Sequence, residues 1–166
     1  YDHMFGWVTI GKEDAAVKNL TDDYLEYYAL TAAEYAGGYV FGVDADYNLV
    51  VMKPGLWNRQ TICNLGVSAV DMTFDETTGT MYLAAKTENR WGDEVGCLYT
   101  VDLTTGALEL VYAYDSVYDM PYAMTAAEGT IYAVKNANSG FYAMDAETYE
   151  LVPVTDAEGN ELMLNK

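Results

Sequence analysis

TGTMYLAAKTENRWGDEVGCLYTVDLTTGALELV, residues Thr78 to Val111, decides the fold, because the rest of the chain reads as imperfect copies of it. A Gly-Thr turn at Gly79 and Thr80 launches Met81-Tyr82-Leu83-Ala84. A polar loop from Lys86 to Gly96 then leads into Leu98-Tyr99-Thr100-Val101-Asp102, and the turn Thr104-Thr105-Gly106 precedes Leu108 to Val111. Each apolar run is short, rich in β-branched or aromatic residues, and bounded by Gly, Asp and Thr. That is the signature of strands joined in hairpins.

Working outward, Gly129-Thr130-Ile131-Tyr132-Ala133-Val134 repeats the Gly-Thr strand at an offset of 50, and Phe141-Tyr142-Ala143-Met144-Asp145 repeats the Tyr-x-x-Asp strand at an offset of 43. The difference is a loop seven residues shorter around Asn136-Ala137-Asn138-Ser139. Upstream, Gly38-Tyr39-Val40-Phe41-Gly42-Val43 and then Leu49-Val50-Val51-Met52 form a fainter third copy, again with an aromatic three residues after the glycine. The text before each Gly strand also matches, Ala29-Leu30-Thr31-Ala32-Ala33-Glu34 against Ala123-Met124-Thr125-Ala126-Ala127-Glu128. Four short strands per unit, with glycine spacings of 41 and 50, give the period of a β-propeller blade. The expectation is an all-β chain of about three to four four-stranded antiparallel blades in one domain or segment. It comprises an outer half blade at 1–20, blades at about 24–66, 67–115 and 116–155, and a tail at 156–166.

GTMYLAA followed by LYTVDLTTGALEL resembles the repeat of pyrroloquinoline-quinone-type propellers, a Gly-Thr-x-Tyr strand and then a Leu-Tyr-x-x-Asp-x-x-Thr-Gly strand and turn. The resemblance runs from about Ala29 to Val154 and is strongest from Gly79. The tryptophan that commonly ends such a blade is replaced by Leu110 and Pro153, and the Thr-Gly turn becomes Thr148-Tyr149 in the last copy. No quinone-contacting or metal-ligating residue carries across, so no cofactor is implied. The resemblance speaks to fold, and fold does not imply function.

The 166 residues are 51% apolar with 16 tyrosines, enough for a sizeable core. Asp and Glu number 26 against 8 Lys and Arg, a formal charge of −18. Such a surface repels a phosphate backbone or an anionic membrane, which excludes nucleic acid and membrane as expected partners. No apolar run reaches bilayer length. The chain begins at Tyr1 with neither an initiator methionine nor a signal peptide, which reads as a processed protein or a fragment. Cys63 and Cys97 lack the close spacing of a metal or redox pair and read as packed thiols. An acidic, Tyr-rich repeat almost without cysteine is the composition expected of a secreted or cell-surface bacterial protein.

At the N-terminus, Phe5 to Ile10 reads as a strand, Gly11 to Asp14 as a turn and Ala15 to Leu20 as the partner strand. From Thr21 two readings compete. Thr21-Asp22-Asp23 is a good N-cap, Leu25, Tyr28, Ala29, Ala32 and Ala36 fall near helical spacing, and Gly37-Gly38 would end a helix. The repeat match says strand, and tertiary context overrides propensity. Asp44, Asp46 and Asn48 mimic the first ligands of a calcium loop, but Leu49 and Gly55 stand where its glycine and glutamate belong, so an Asx-rich turn and no metal is the expectation. Trp57 is read as core by default, the alternative being a cover for the bottom of a blade.

The candidate ligand-binding residues are Arg90, Trp91, Asp93 and Glu94 in the 86–96 loop, with Tyr112, Tyr114 and Tyr118 on the next connection. Trp and Arg are enriched at binding hot spots, and the tyrosines and acids offer stacking and hydrogen bonds to a sugar or peptide; the competing reading folds Trp91 back over its own blade and makes the tyrosines strand-end packing. Both connections belong on one face, with Trp91 and Tyr114 together. His3 is the single histidine, and nucleophile, zinc and phosphate-loop motifs are absent. The reading is a noncatalytic binding or scaffolding module for a protein, peptide or glycan. The alternative is part of a hydrolase or lyase using loop carboxylates. At three to four blades the chain stands at or below the usual closure number, so association with a second copy or further blades is expected.

Overall fold

The computed structural model describes residues 8–19, 30–56, 58–135 and 140–163. Every regular element among them is a strand. β1 (Val8–Ile10) and β2 (Val17–Asn19) form a two-stranded antiparallel sheet. Twelve more strands form three four-stranded antiparallel sheets, each in simple sequential order. The first holds β3 (Leu30–Ala36), β4 (Tyr39–Asp44), β5 (Asn48–Met52) and β6 (Gln60–Asn64). The second holds β7 (Ser68–Asp75), β8 (Thr80–Glu88), β9 (Glu94–Val101) and β10 (Leu108–Ala113). The third holds β11 (Pro121–Ala127), β12 (Thr130–Lys135), β13 (Phe141–Met144) and β14 (Leu151–Pro153). These are propeller blades, and β7 packs beside β3 on one side and β11 on the other.

Turn chemistry explains the hairpins. Between β9 and β10, the Asp102 carboxylate accepts the N–H groups of Thr104 and Thr105, and Gly106 takes a φ of 73°. Between β13 and β14, Asp145 accepts those of Glu147 and Thr148, and Tyr149 takes a φ of 60°. Tyr149 therefore occupies the left-handed position that favours glycine. Gly106 has a second reason to lack a side chain, because an added Cβ would lie 2.0 Å from the Cys63 sulfur of the first blade.

Two apolar layers join the blades. The first packs Ala32, Val43 and Leu49 against Met72, Met81 and Leu83. The second packs Ala84 and Leu98 against Ile131 and Met144. Consecutive Leu83, Ala84 and Ala85 are all 0% exposed, because β8 has a blade on either side. The inner strands are also tied directly. Asp71 and Thr73 accept the backbone N–H groups of Met124 and Ala126.

Residues 30–36 are strand, against their local helix signals. Residues 21–29, together with His3, Phe5, Trp57 and the 136–139 loop, lie outside the described residues. The repeat match before each Gly strand needs correction. The text places Ala29 on Ala123, an offset of 94, whereas the two-residue hairpins place Ala36 on Ala127, an offset of 91. Thr125 is thus the counterpart of Glu34 and Thr73, each facing the aromatic of its neighbouring strand: Phe41, Tyr82 or Tyr132.

Candidate functional site

The polar stretch 86–96 is mostly sheet, a correction to its reading as a loop. β8 and β9 stay paired out to Glu88 and Glu94, leaving Asn89 to Asp93 as the tip. The extra residues of this copy lengthen a hairpin because alternate residues keep satisfying the ladder, with Lys86 pairing to Gly96 and Thr87 to Val95. Lys86 Nζ lies 3.5 Å from Glu94 Oε2 across the strands.

Asn89 holds the tip. Its side-chain oxygen accepts the N–H groups of Trp91 at 2.8 Å and Asp93 at 3.0 Å, and its backbone N–H donates to the Asp93 carbonyl at 2.9 Å. Gly92, at a φ of 83°, donates to the Asn89 carbonyl. This organising residue was missed in the sequence, although Asn and Gly in a short polar run signal a tight turn. The result is a presented aromatic. Trp91 is 73% exposed, and the Arg90 guanidinium lies 4.5 Å from its ring centroid. A cation over an exposed ring contributes about 0.5–1 kcal/mol, enough to bias the orientation of both side chains. Beside the hairpin, Tyr47, Gly66, Ser68, Lys86, Glu88 and Glu94 help wall a groove of about 370 Å³.

The connection after β10 reaches the same end of the blade. Ala113 pairs with Cys97, and the Tyr114 N–H donates to the Gly96 carbonyl at 2.9 Å. Tyr114 itself does not face solvent. It is 6% exposed, edge-on to Tyr112 at 4.8 Å, and packed in the second apolar layer. At this exposure Tyr114 is strand-end packing that offers a ligand little of its ring. Its hydroxyl has no hydrogen-bond partner among the described residues, and burial pushes the phenol well above its ordinary pKa. Tyr112 and Tyr114 line a separate hollow of about 220 Å³ with Asp115, Asp119 and Lys135. Tyr118 is exposed on the turn organised by Ser116. The seven candidates thus divide between the end of the hairpin, bearing Arg90, Trp91, Asp93 and Glu94, and a second region bearing the tyrosines.

At the calcium-like turn, Asp44 is already engaged. It accepts the N–H groups of Asp46 and Asn48 and the side chains of Asn48 and Arg59. No group of three or more His, Cys, Asp or Glu side chains among the described residues is placed to hold a metal ion.

No known protein family matches the chain, and no curated protein does. Among solved structures, it is similar to a chain in the crystal structure of a nidogen/laminin complex, with a TM-score of 0.56 and 10% identity, covering 87% of this chain and 69% of that one. The shared feature is the propeller fold. At this identity the likeness speaks to fold alone.

Proposed function

We propose that the chain is a noncatalytic binding module, of the pyrroloquinoline-quinone-type repeat, that contacts a protein partner through the Asn89–Asp93 tip and the groove beside it. Trp91 carries this reading. A large ring held in the open by its own turn meets a partner with little conformational entropy left to lose, which is the economy of a hot spot. Arg90 adds a cation beside the ring in a strongly acidic chain, and this favours a partner segment offering a carboxylate next to an apolar side chain. The structural neighbour belongs to a complex between proteins, which is in keeping with a protein partner. The loop carboxylates fit this role better than catalysis, since Glu94 faces Lys86 and Asp93 accepts from the Asn89 amide. A secreted or cell-surface setting goes with this reading.

The test uses a random peptide display library and a glycan array on the immobilised chain. Peptides selected by the wild type should lose about thirtyfold or more in affinity for Trp91→Ala, at an unchanged unfolding midpoint. Binders indifferent to Trp91→Ala overturn the assignment of the tip, and selection by the glycan array alone replaces the protein partner with a sugar.

A further inference from the structure

The gap between the second and third blades is built from the same positions as the gap between the first and second, yet with different chemistry. Leu98 pairs with Tyr112 beside a bulge as Leu49 pairs with Cys63, and two residues on, the Tyr114 N–H closes onto Gly96 as the Leu65 N–H closes onto Tyr47. Ala84 pairs with Leu98 as Val134 pairs with Phe141, so Lys135 stands where Ala85 does. In the first gap, Cys63, Leu65 and Ala85 all belong to the apolar layer. In the second, Tyr112, Tyr114 and Lys135 line the hollow of about 220 Å³, which Asp115, Asp119 and Glu150 also border.

We propose that this hollow binds one neutral sugar ring, through hydroxyl groups that donate to the carboxylates and accept from Lys135. Donor and acceptors stand ready there, and apart. The Lys135 ammonium is held 4.7 Å from the Tyr142 ring centroid. It forms no ion pair among the described residues, although three carboxylates border the same hollow. Nor does any hydrogen bond among the described residues engage the side chains of Asp115, Asp119 and Glu150, whereas Asp102 and Asp145 each accept N–H groups within their turns. Charge decides the ligand. A carboxylate or phosphate meets three acids and an ammonium meets Lys135, whereas a hydroxyl both donates and accepts. Size agrees, because the hollow falls below the range of about 300–1,000 Å³ usual for drug-sized ligands and takes a single ring. Tyr112, half-buried, gives the C–H face of a sugar an aromatic wall. Tyr114 closes the buried side, and its orphaned hydroxyl is unfavourable until a partner meets it. The site is separate from the Trp91 tip and does not rest on it.

Ligand-observed NMR on the full chain tests this, with glucose, galactose and mannose offered free and as methyl glycosides, and spermidine as the cationic probe. The expected result is saturable binding of at least one sugar. A preference for the glycoside marks the end of a glycan as the ligand, and a preference for the free sugar marks a monosaccharide. Lys135→Met keeps an apolar stem over Tyr142 and removes the charge. It and Asp119→Asn should each weaken the sugar about tenfold or more at an unchanged unfolding midpoint. Glu76→Gln, which removes an exposed carboxylate on the β7–β8 turn, should leave binding intact. No sugar binding, or sugar binding indifferent to both Lys135→Met and Asp119→Asn, overturns the proposal. So does a hollow that answers only to spermidine, and more tightly once Lys135→Met removes the competing charge.

Discussion

The Thr73 hydroxyl in the second blade accepts the backbone N–H of Ala126 in the third at 2.9 Å. Thr73 is 1% exposed, so water does not compete for that bond. Inner strands of neighbouring blades share no ladder, and side-chain acceptors such as this one supply what a ladder would. Thr73→Val keeps the shape and orphans the Ala126 N–H, which should cost about 1–3 kcal/mol. Thr73→Ser should recover most of it. Urea unfolding measures both, and a Val variant as stable as the wild type would show that the hydroxyl bond does not hold the blades.

Asp71 makes the neighbouring inter-blade bond, and its carboxyl pKa stands above the ordinary 3.8. Burial is the main cause and Glu34 adds to it, against the lowering effect of the N–H bonds from Met124 and Met72. The folded state therefore holds this proton more tightly than the unfolded state. Its stabilising contribution is present at and below pH 3.8 and is lost as pH rises through the raised folded value. Asp102 and Asp145 act oppositely. Turn N–H bonds, foremost those of Thr105 and Thr148, depress their folded pKa values, so their contribution is present above 3.8 and fades as pH falls. Asp71→Asn should thus remove a loss of stability on going from acid to neutral pH, whereas Asp102→Ala should remove one on acidification. Chemical unfolding at several pH values reads the two slopes, and equal signs would contradict this account.

Gly106 sits where left-handed backbone and close packing coincide. Gly106→Ala meets both the φ of 73° and the Cys63 sulfur, and about 1–3 kcal/mol of destabilisation is expected. Adding Cys63→Ala should relieve the overlap but not the backbone strain, so the double variant should recover part of the loss. Additive losses in a double-mutant cycle would rule out the contact.

Asn89→Ala deletes the acceptor for two N–H groups at the hairpin tip. Because the tip is exposed, the expected loss of global stability is small, about 0.5–1 kcal/mol. Amide exchange at Trp91 and Asp93 should quicken far more than that at Leu98, deep in the same hairpin. Unchanged exchange at the tip would mean that the strands alone hold it.

The strands were legible because their signals are local: glycine before each Gly strand, an aromatic three residues on, and Asp at each hairpin. What escaped depends on register and side-chain direction. The matching text at Ala29 and Ala123 pointed correctly to a strand while lying three residues out of register, since small residues recur along any inner strand that packs against two others. Tyr112 and Tyr114 look alike in the sequence, yet Tyr112 pairs within β10 while Tyr114 follows its last residue and is buried in the second apolar layer. The tip was legible in Trp91 and Arg90. Asn89, which fixes them, was hidden by being one more polar residue in a polar run.

The burial of Leu83, Ala84 and Ala85 in succession has a consequence for how the second blade finds its pairing. In a strand with one wet face, a slip by one residue drives apolar side chains into water and is rejected at once. β8 has no wet face at its centre, so apolarity alone cannot distinguish the correct alignment from its neighbour. That decision passes to the ends. The turn closed by the Gly79 N–H on the Asp75 carbonyl sets one end, and the Asn89 tip sets the other. Hydrophobic collapse places this strand in the interior, and two small polar turns decide which way it faces.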